Sequence, residues 1–158
     1  MPAKKPGGWF GQKTHFDGYT FDSKKEEAFY RSFVKTSGYK FTVHERFKLH
    51  DKIELLGGLI KLRGSYYTPD FVLYDDNGEI AHVIDVKNSF TSFAIDAAAS
   101  LRFKMFALTY HIPVEVVVPR VTSFKVKVMG TTKKFEPQVK LNFDYCLEDL
   151  FKENADAV

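Results

Sequence analysis

Cysteine is nearly absent from this chain. Its single cysteine, Cys146, has no intramolecular partner for a disulfide, and no cysteine cluster exists to hold zinc. Long apolar runs are missing too, since nothing approaches the roughly 18–20 apolar residues that a membrane helix needs. Lysines near the start are followed by no apolar stretch, so no secretory signal is expected. There is no internal repeat and no linker-like segment. The histidines (His15, His44, His50, His82 and His111) lack the paired spacing of a metal site. These absences exclude disulfide scaffolds, zinc modules, membrane spans, collagen-like repeats and coiled coils. A cytoplasmic setting and no membrane partner are the expectations.

What is abundant is aromatic volume. Sixteen phenylalanines among 158 residues, with 44% hydrophobic and 27% charged, fit one globular domain with a real core. The net charge of +3 is unevenly spread. Lys4, Lys5, Lys13, Lys24 and Lys25 make the start basic, and Arg120, Lys125, Lys127, Lys133, Lys134 and Lys140 do the same for 120–140. Residues 141–158 are acidic. Basic segments are compatible with a polyanion partner, and on charge alone an ordinary solvated surface is the favoured reading.

Residues 1–20, with six of the glycines and prolines and no period, read as a flexible basic arm. Residues 21–158 read as one domain, with a core over 21–119 and an extension over 120–158. A helix starts at Asp22 or Ser23, where Ser23 and Glu26 have capping-box spacing, and Phe29, Tyr30, Phe33 and Val34 form its apolar stripe. Gly38 ends it. Residues 41–49 alternate as a strand, and 53–64 read as a hairpin around Gly57-Gly58. Residues 66–74 and 79–87 are β-rich runs joined through Asn77-Gly78, expected as a type I′ turn. A helix over 92–110 is expected to bury Phe93, Ala97, Leu101, Met105 and Leu108. A strand at 114–118, a hairpin of 124–128 with 138–143, and a short helix over 145–152 capped by Asp144 complete the chain. The order indicates an α/β or α+β domain with a mixed central sheet.

A two-residue turn at Asn77-Gly78 makes opposed residue numbers sum to 155. Asp70 then faces Asp85, and Lys87 shares their side of the ribbon. Phe71, Leu73, His82, Ile84 and Val86 take the other side, a core-like set in which His82 is a packed, hydrogen-bonded imidazole. Cys146 is expected as a small core hydrophobe. Opposed side chains have Cβ atoms roughly 4.5–5.5 Å apart, and like charges there destabilise a sheet. A divalent cation, Mg²⁺ or Mn²⁺, is the simplest reason for two carboxylates in that position. A three-residue bulged loop would separate them.

Thr68-Pro69-Asp70-Phe71 followed by Ile84-Asp85-Val86-Lys87 resembles the signature of the PD-(D/E)XK nuclease superfamily. With Phe21-Asp22-Ser23-Lys24-Lys25-Glu26, it looks closest to small phage-encoded members linked to Holliday-junction resolution. The resemblance covers roughly 21–119, and it implies a restriction-endonuclease-like core. It also implies a first-helix acid near the metal. Glu26, at the edge of the apolar stripe, is chosen over Glu27, which pairs with Arg31 at i,i+4; a capping role is the alternative for Glu26. The implied catalytic set is Glu26, Asp70, Asp85 and Lys87. The implied ligands are Asp70, Asp85, Glu26 and the Val86 carbonyl.

The resemblance further implies a Mg²⁺-dependent endodeoxyribonuclease leaving 5′-phosphate and 3′-hydroxyl ends. Its DNA is branched, such as a four-way junction, and a symmetric junction cut twice implies a homodimer. On the 92–110 helix, Arg102 and Lys104 are candidate phosphate contacts, with Lys104 the better match. Lys24, Lys25, Arg63 and Asn88 are further DNA-backbone candidates, and each of these also fits a plain solvated surface. Flap, repair and restriction-type nucleases, and a DNA-binding or assembly protein that keeps the fold without cutting, are the alternatives.

Overall fold

The structure is a computed structural model, and it describes residues 12–155. Two short strands, β1 (Thr14–Phe16) and β2 (Tyr19–Phe21), pair antiparallel around Asp17-Gly18, both at positive φ. Residues 14–21 are therefore not a free arm. Phe16 and Tyr19 pack against the core, because aromatic area left in water costs more than ordering a tight turn. Residues 1–11 of the expected arm lie outside the described residues.

Ser23 caps helix α1 (Lys24–Phe29) by accepting the Glu26 N–H at 3.1 Å. The helix continues as a π-helical turn, Tyr30–Val34, closed by Lys35 N–H on the Tyr30 carbonyl. The Glu27–Arg31 pair is present at 3.8 Å.

A six-stranded mixed sheet follows. Its strands are β3 (Lys40–Val43), β8 (Phe71–Tyr74), β9 (Ile80–Val86), β10 (Glu115–Pro119), β11 (Phe124–Lys127) and β12 (Gln138–Lys140), in spatial order 12-11-10-9-8-3. Among the described strands only β9 and β10 are parallel, and the crossover between them carries helix α2 (Ala97–Tyr110). Two smaller ribbons complete the strands: β4 (Phe47–His50) with β7 (Ser65–Tyr67), and the hairpin β5 (Ile53–Leu55) with β6 (Ile60–Leu62). The molecule is thus an α+β fold on a mixed central sheet. No helix among the described residues is long and apolar enough to cross a membrane.

Alternate residues of the central strands feed two cores, one on each face. Phe71, Leu73, Ile84 and Val117 join Phe29, Tyr30, Phe33 and Val34 on the α1 side. Val72, Val83 and Val116 join Phe103 and Phe106 on the α2 side. Each fully buried side chain of this size contributes about 1.5–3 kcal/mol relative to exposure. The extension is part of the first core, through Phe135, Phe143, Tyr145 and Leu150. Fully buried Glu115 anchors it, accepting from Tyr145 Oη at 2.7 Å and bonding His82 Nδ1 at 2.7 Å. His82 is the packed, hydrogen-bonded imidazole expected.

Four expectations are corrected. Helix α2 buries Ala99, Phe103 and Phe106, whereas Phe93, Leu101 and Leu108 are exposed. The helix is apolar on several sides, so periodicity picks no face. The large rings decide it, packing edge-on against Phe47 and Tyr67. The β8–β9 connection is not a type I′ turn. Asp75 pairs with Glu79 around three residues, only Gly78 has positive φ, and the Asp75 carboxylate accepts the Asn77 and Glu79 N–H groups. Cys146 is exposed, not in the core. It precedes helix α3 (Leu147–Ala155), where its N–H and Sγ–H donate to Asp149 Oδ2, so the start of this helix is tied by Cys146 and Asp149 rather than by Asp144.

Candidate metal centre

The runs 41–49 and 66–74 are each one strand in two pieces, and the two interruptions coincide. Val43 faces Phe71 and Phe47 faces Tyr67, with the same offset in both ladders. Between these pairs, 44–46 and 68–70 leave the ribbon. Pro69 has no N–H for a ladder and restricts Thr68. His44 adopts φ +55°, a left-handed conformation costing a non-glycine residue about 1–2 kcal/mol. Its N–H donates to the Asp70 carbonyl at 3.1 Å. The double break turns two side chains, His44 and Asp70, toward the start of α1.

Four residues meet there. Asp22, Glu26, His44 and Asp70 each offer one ligand atom, and these atoms lie within 4.8 Å of one another. The cluster can hold a metal ion. Glu26 is buried and uses both oxygens: Oε2 accepts the Asp22 N–H at 3.1 Å, and Oε1 meets His44 Nε2 at 2.5 Å. The capping box and the inward carboxylate are therefore one side chain. His44 Nε2 is also 3.8 Å from Asp22 Oδ2 and 4.0 Å from Asp70 Oδ1.

Asp85 stands beside this cluster. The last β8–β9 ladder pair is Phe71–Ile84, and just beyond it the Asp85 charge acts on Asp70. The register survives a turn of the wrong length because Tyr74 pairs with Ile80 and a bulge before Leu73–His82 restores the offset. Asp70 Oδ2 accepts the Val86 N–H at 2.7 Å, so the Val86 group in contact with Asp70 is its amide. Asp85 is occupied on both oxygens: Oδ2 accepts from Tyr67 Oη at 2.8 Å, and Oδ1 lies 3.2 Å from Lys87 Nζ.

Electrostatics record the crowding. The Asp70 carboxyl is held well above the usual carboxylate range, first by burial and then by the charges of Asp85 and Glu26. The Val86 N–H and Lys87 oppose that rise. His44 is pushed up by its bond to Glu26, against a smaller desolvation effect. Tyr67 is raised by burial and by Asp85, so it stays a neutral donor. Three carboxylates and one imidazole form a mostly hard donor set, and the strain on Asp70 is the kind that a bound cation relieves. The residues fit a divalent metal.

Glu26 and Asp70 thus belong to the four-residue cluster, and Asp85 and Lys87 adjoin it. Lys24 and Lys25 lie on the first turn of α1 beside Glu26. Arg63 and Asn88 are exposed just after β6 and β9. The Arg102 charge reaches Tyr67. Lys104 lies along Gly130, where an added Cβ would come within 2.6 Å of its Cε. Sequence reasoning missed Asp22, His44 and Tyr67 as site residues. Asp22 was legible as a neighbour of the cap. His44 carried no signal, because it sits where the alternation pattern runs straight through the break.

Residues 9–128 match the profile of a family described as Protein of unknown function (DUF1064). The chain belongs to the DUF1064 family. The DUF1064 segment contains every residue of the cluster, with Tyr67, Asp85 and Lys87, and stops before β12 and α3. Neither the curated proteins nor the solved structures contain a match.

Proposed function

We propose that this DUF1064 protein is a metal-dependent endodeoxyribonuclease of PD-(D/E)XK type, with a restriction-endonuclease-like core, acting as a homodimer on branched DNA such as a four-way junction. The observation that carries the reading is the approach of Asp85 and Lys87 to the Asp70–Glu26 cluster. The Asp85 and Glu26 charges both act on Asp70, and Lys87 Nζ lies 3.2 Å from Asp85.

Asp22, Glu26, His44 and Asp70 would hold Mg²⁺ or Mn²⁺, with Asp85 beside them. A divalent ion there supplies water acidified toward neutral pH and polarisation of a phosphoryl oxygen. The chain's own groups do the rest. Tyr67 and Lys87 fix the Asp85 carboxylate in one orientation. Lys87 supplies a cation against charge building on the scissile phosphate. The Val86 N–H locks Asp70 Oδ2, leaving Oδ1 toward His44 and Glu26. In the metal-free chain Glu26 holds His44 Nε2 by a hydrogen bond, which keeps the imidazole aimed at the cluster until an ion takes the place of that proton. Lys24, Lys25 and Arg102 would meet the DNA backbone.

The test is a cleavage panel of four-way, flap and linear duplex DNA with Mg²⁺ or Mn²⁺, run on wild type and Asp85→Ala. The expected result is metal-dependent cutting of the four-way junction by wild type. Asp85→Ala is expected to bind the junction but not cut it. Preference for flap or linear DNA would move the substrate within the nuclease class. Wild type that binds DNA and never cuts with either ion would overturn the enzyme reading in favour of a binding or assembly protein.

A further inference from the structure

The hairpin β5–β6 forms its own two-stranded sheet. Its register pairs Ile53 with Leu62, Glu54 with Lys61, and Leu55 with Ile60. Side chains alternate across a ribbon, so Ile53, Leu55, Ile60 and Leu62 share one face. They are between 40% and 46% exposed. At the tip, Leu56 and Leu59 are 73% and 82% exposed. The opposite face carries the Glu54–Lys61 pair at 3.9 Å. A lone two-stranded ribbon is at best marginal in water, and one with a wholly apolar face gains by covering it.

We infer that this hairpin is the contact through which two copies of the chain associate. The apolar face has no cation, so it offers nothing to a phosphate backbone, and the hairpin's only charges neutralise each other behind it. A second copy presents the same four-residue face. Two such faces pack on each other across a two-fold axis without leaving a charge buried. The four-residue face together with the tip residues Leu56 and Leu59 exposes roughly 600 Å² per copy, or about 1,200 Å² for the pair, which reaches the lower end of specific interfaces only when the tips are covered as well.

The root of the hairpin is fixed. Gly64 crosses the opposite leg so closely that a Cβ would stand 2.7 Å from the His50 carbonyl oxygen. Three residues on, Tyr67 bonds Asp85. Association here sets the spacing of two metal centres through a short, rigid path. That consequence rests on the nuclease reading, whereas the association itself does not.

The experiment measures the mass of the full chain in solution by sedimentation, without DNA or metal. Wild type is compared with Leu55→Asp/Ile60→Asp, both exposed positions, and with Glu54→Gln/Lys61→Gln on the other face. Circular dichroism checks that the variants fold. The expected result is a dimer for wild type and for the back-face variant, and a monomer for the aspartate variant, with at least a hundredfold weaker association. A monomeric wild type, or a folded aspartate variant that stays dimeric, overturns the inference. A monomeric wild type that still cuts junctions sinks the hairpin contact and the homodimer with it, and leaves the nuclease activity standing. A hairpin-dependent dimer that never cuts does the reverse.

Discussion

Glu26 Oε1 meets His44 Nε2 at 2.5 Å, while the other oxygen of the same carboxylate closes the cap of α1. One side chain therefore links the start of a helix to the break in a strand eighteen residues away.

The two duties separate by mutation. Glu26→Gln keeps an oxygen to accept the Asp22 N–H and the Ser23 cap on its own N–H, so stability should change by less than about 1 kcal/mol. The charge that draws in a cation is gone. The thermal shift produced by Mn²⁺ should fall sharply and junction cleavage should drop at least a hundredfold. Glu26→Ala should add a measurable loss of stability in the metal-free protein. Equal melting temperatures for the two variants would show that the cap contributes nothing.

Asp70 has the opposite balance. Its folded pKa is raised, so the protonated form favours folding. That contribution is full below the unfolded value near 3.8 and is lost as pH rises through the higher folded value. Without metal, the ionised form of Asp70 is the disfavoured one, because it is a buried neighbour of Asp85 and Glu26. Asp70→Asn should raise the metal-free melting temperature, by about 3 °C for each kcal/mol in a domain of this size. It should also abolish stabilisation by divalent ions. A lower melting temperature in metal-free buffer would contradict the electrostatic account.

His44 gives a separate pH signature. Its pKa is raised above 6.5 by Glu26, so the imidazolium supports the metal-free fold fully below 6.5, and this support disappears as pH climbs through the raised value. A metal must displace that proton. Affinity for Mn²⁺, measured by calorimetry, should therefore rise with pH across this window. In His44→Ala the slope of log affinity against pH should fall by about one. An unchanged slope would mean that His44 is not a ligand.

The buried contacts of Glu115 make a prediction away from the metal. Glu115→Ala leaves His82 and Tyr145 without their partner inside the core and should cost about 3–5 kcal/mol. Tyr145→Phe removes one hydrogen bond and leaves one carboxylate oxygen unpaired, which should cost about 1–3 kcal/mol. Chemical denaturation measures both. A cost below 1 kcal/mol for Glu115→Ala would mean that the extension is not anchored through this network.

Short-range signals carried much of the fold. The Ser23–Glu26 cap, the Gly57-Gly58 hairpin and the β11–β12 pairing are local, and local chemistry decides them. The Asp70–Asp85 approach was legible for a subtler reason. The turn came out one residue longer than expected, yet apolar alternation across Val72–Val83 and Leu73–His82 fixes which residues enter the core, and a bulge absorbs the mismatch. The α2 face was not legible, because that helix carries apolar residues around most of its circumference, and Phe103 and Phe106 choose a side only once Phe47 and Tyr67 exist to receive them.

By itself, the sequence determined the mixed α+β order, the core side of the β8–β9 ribbon and the closeness of Asp70 to Asp85. Tertiary structure alone decided that His44 and Asp22 join them. Alternation tells which way a side chain points only while the strand stays straight, and the centre forms where two paired strands bend together at His44 and Pro69.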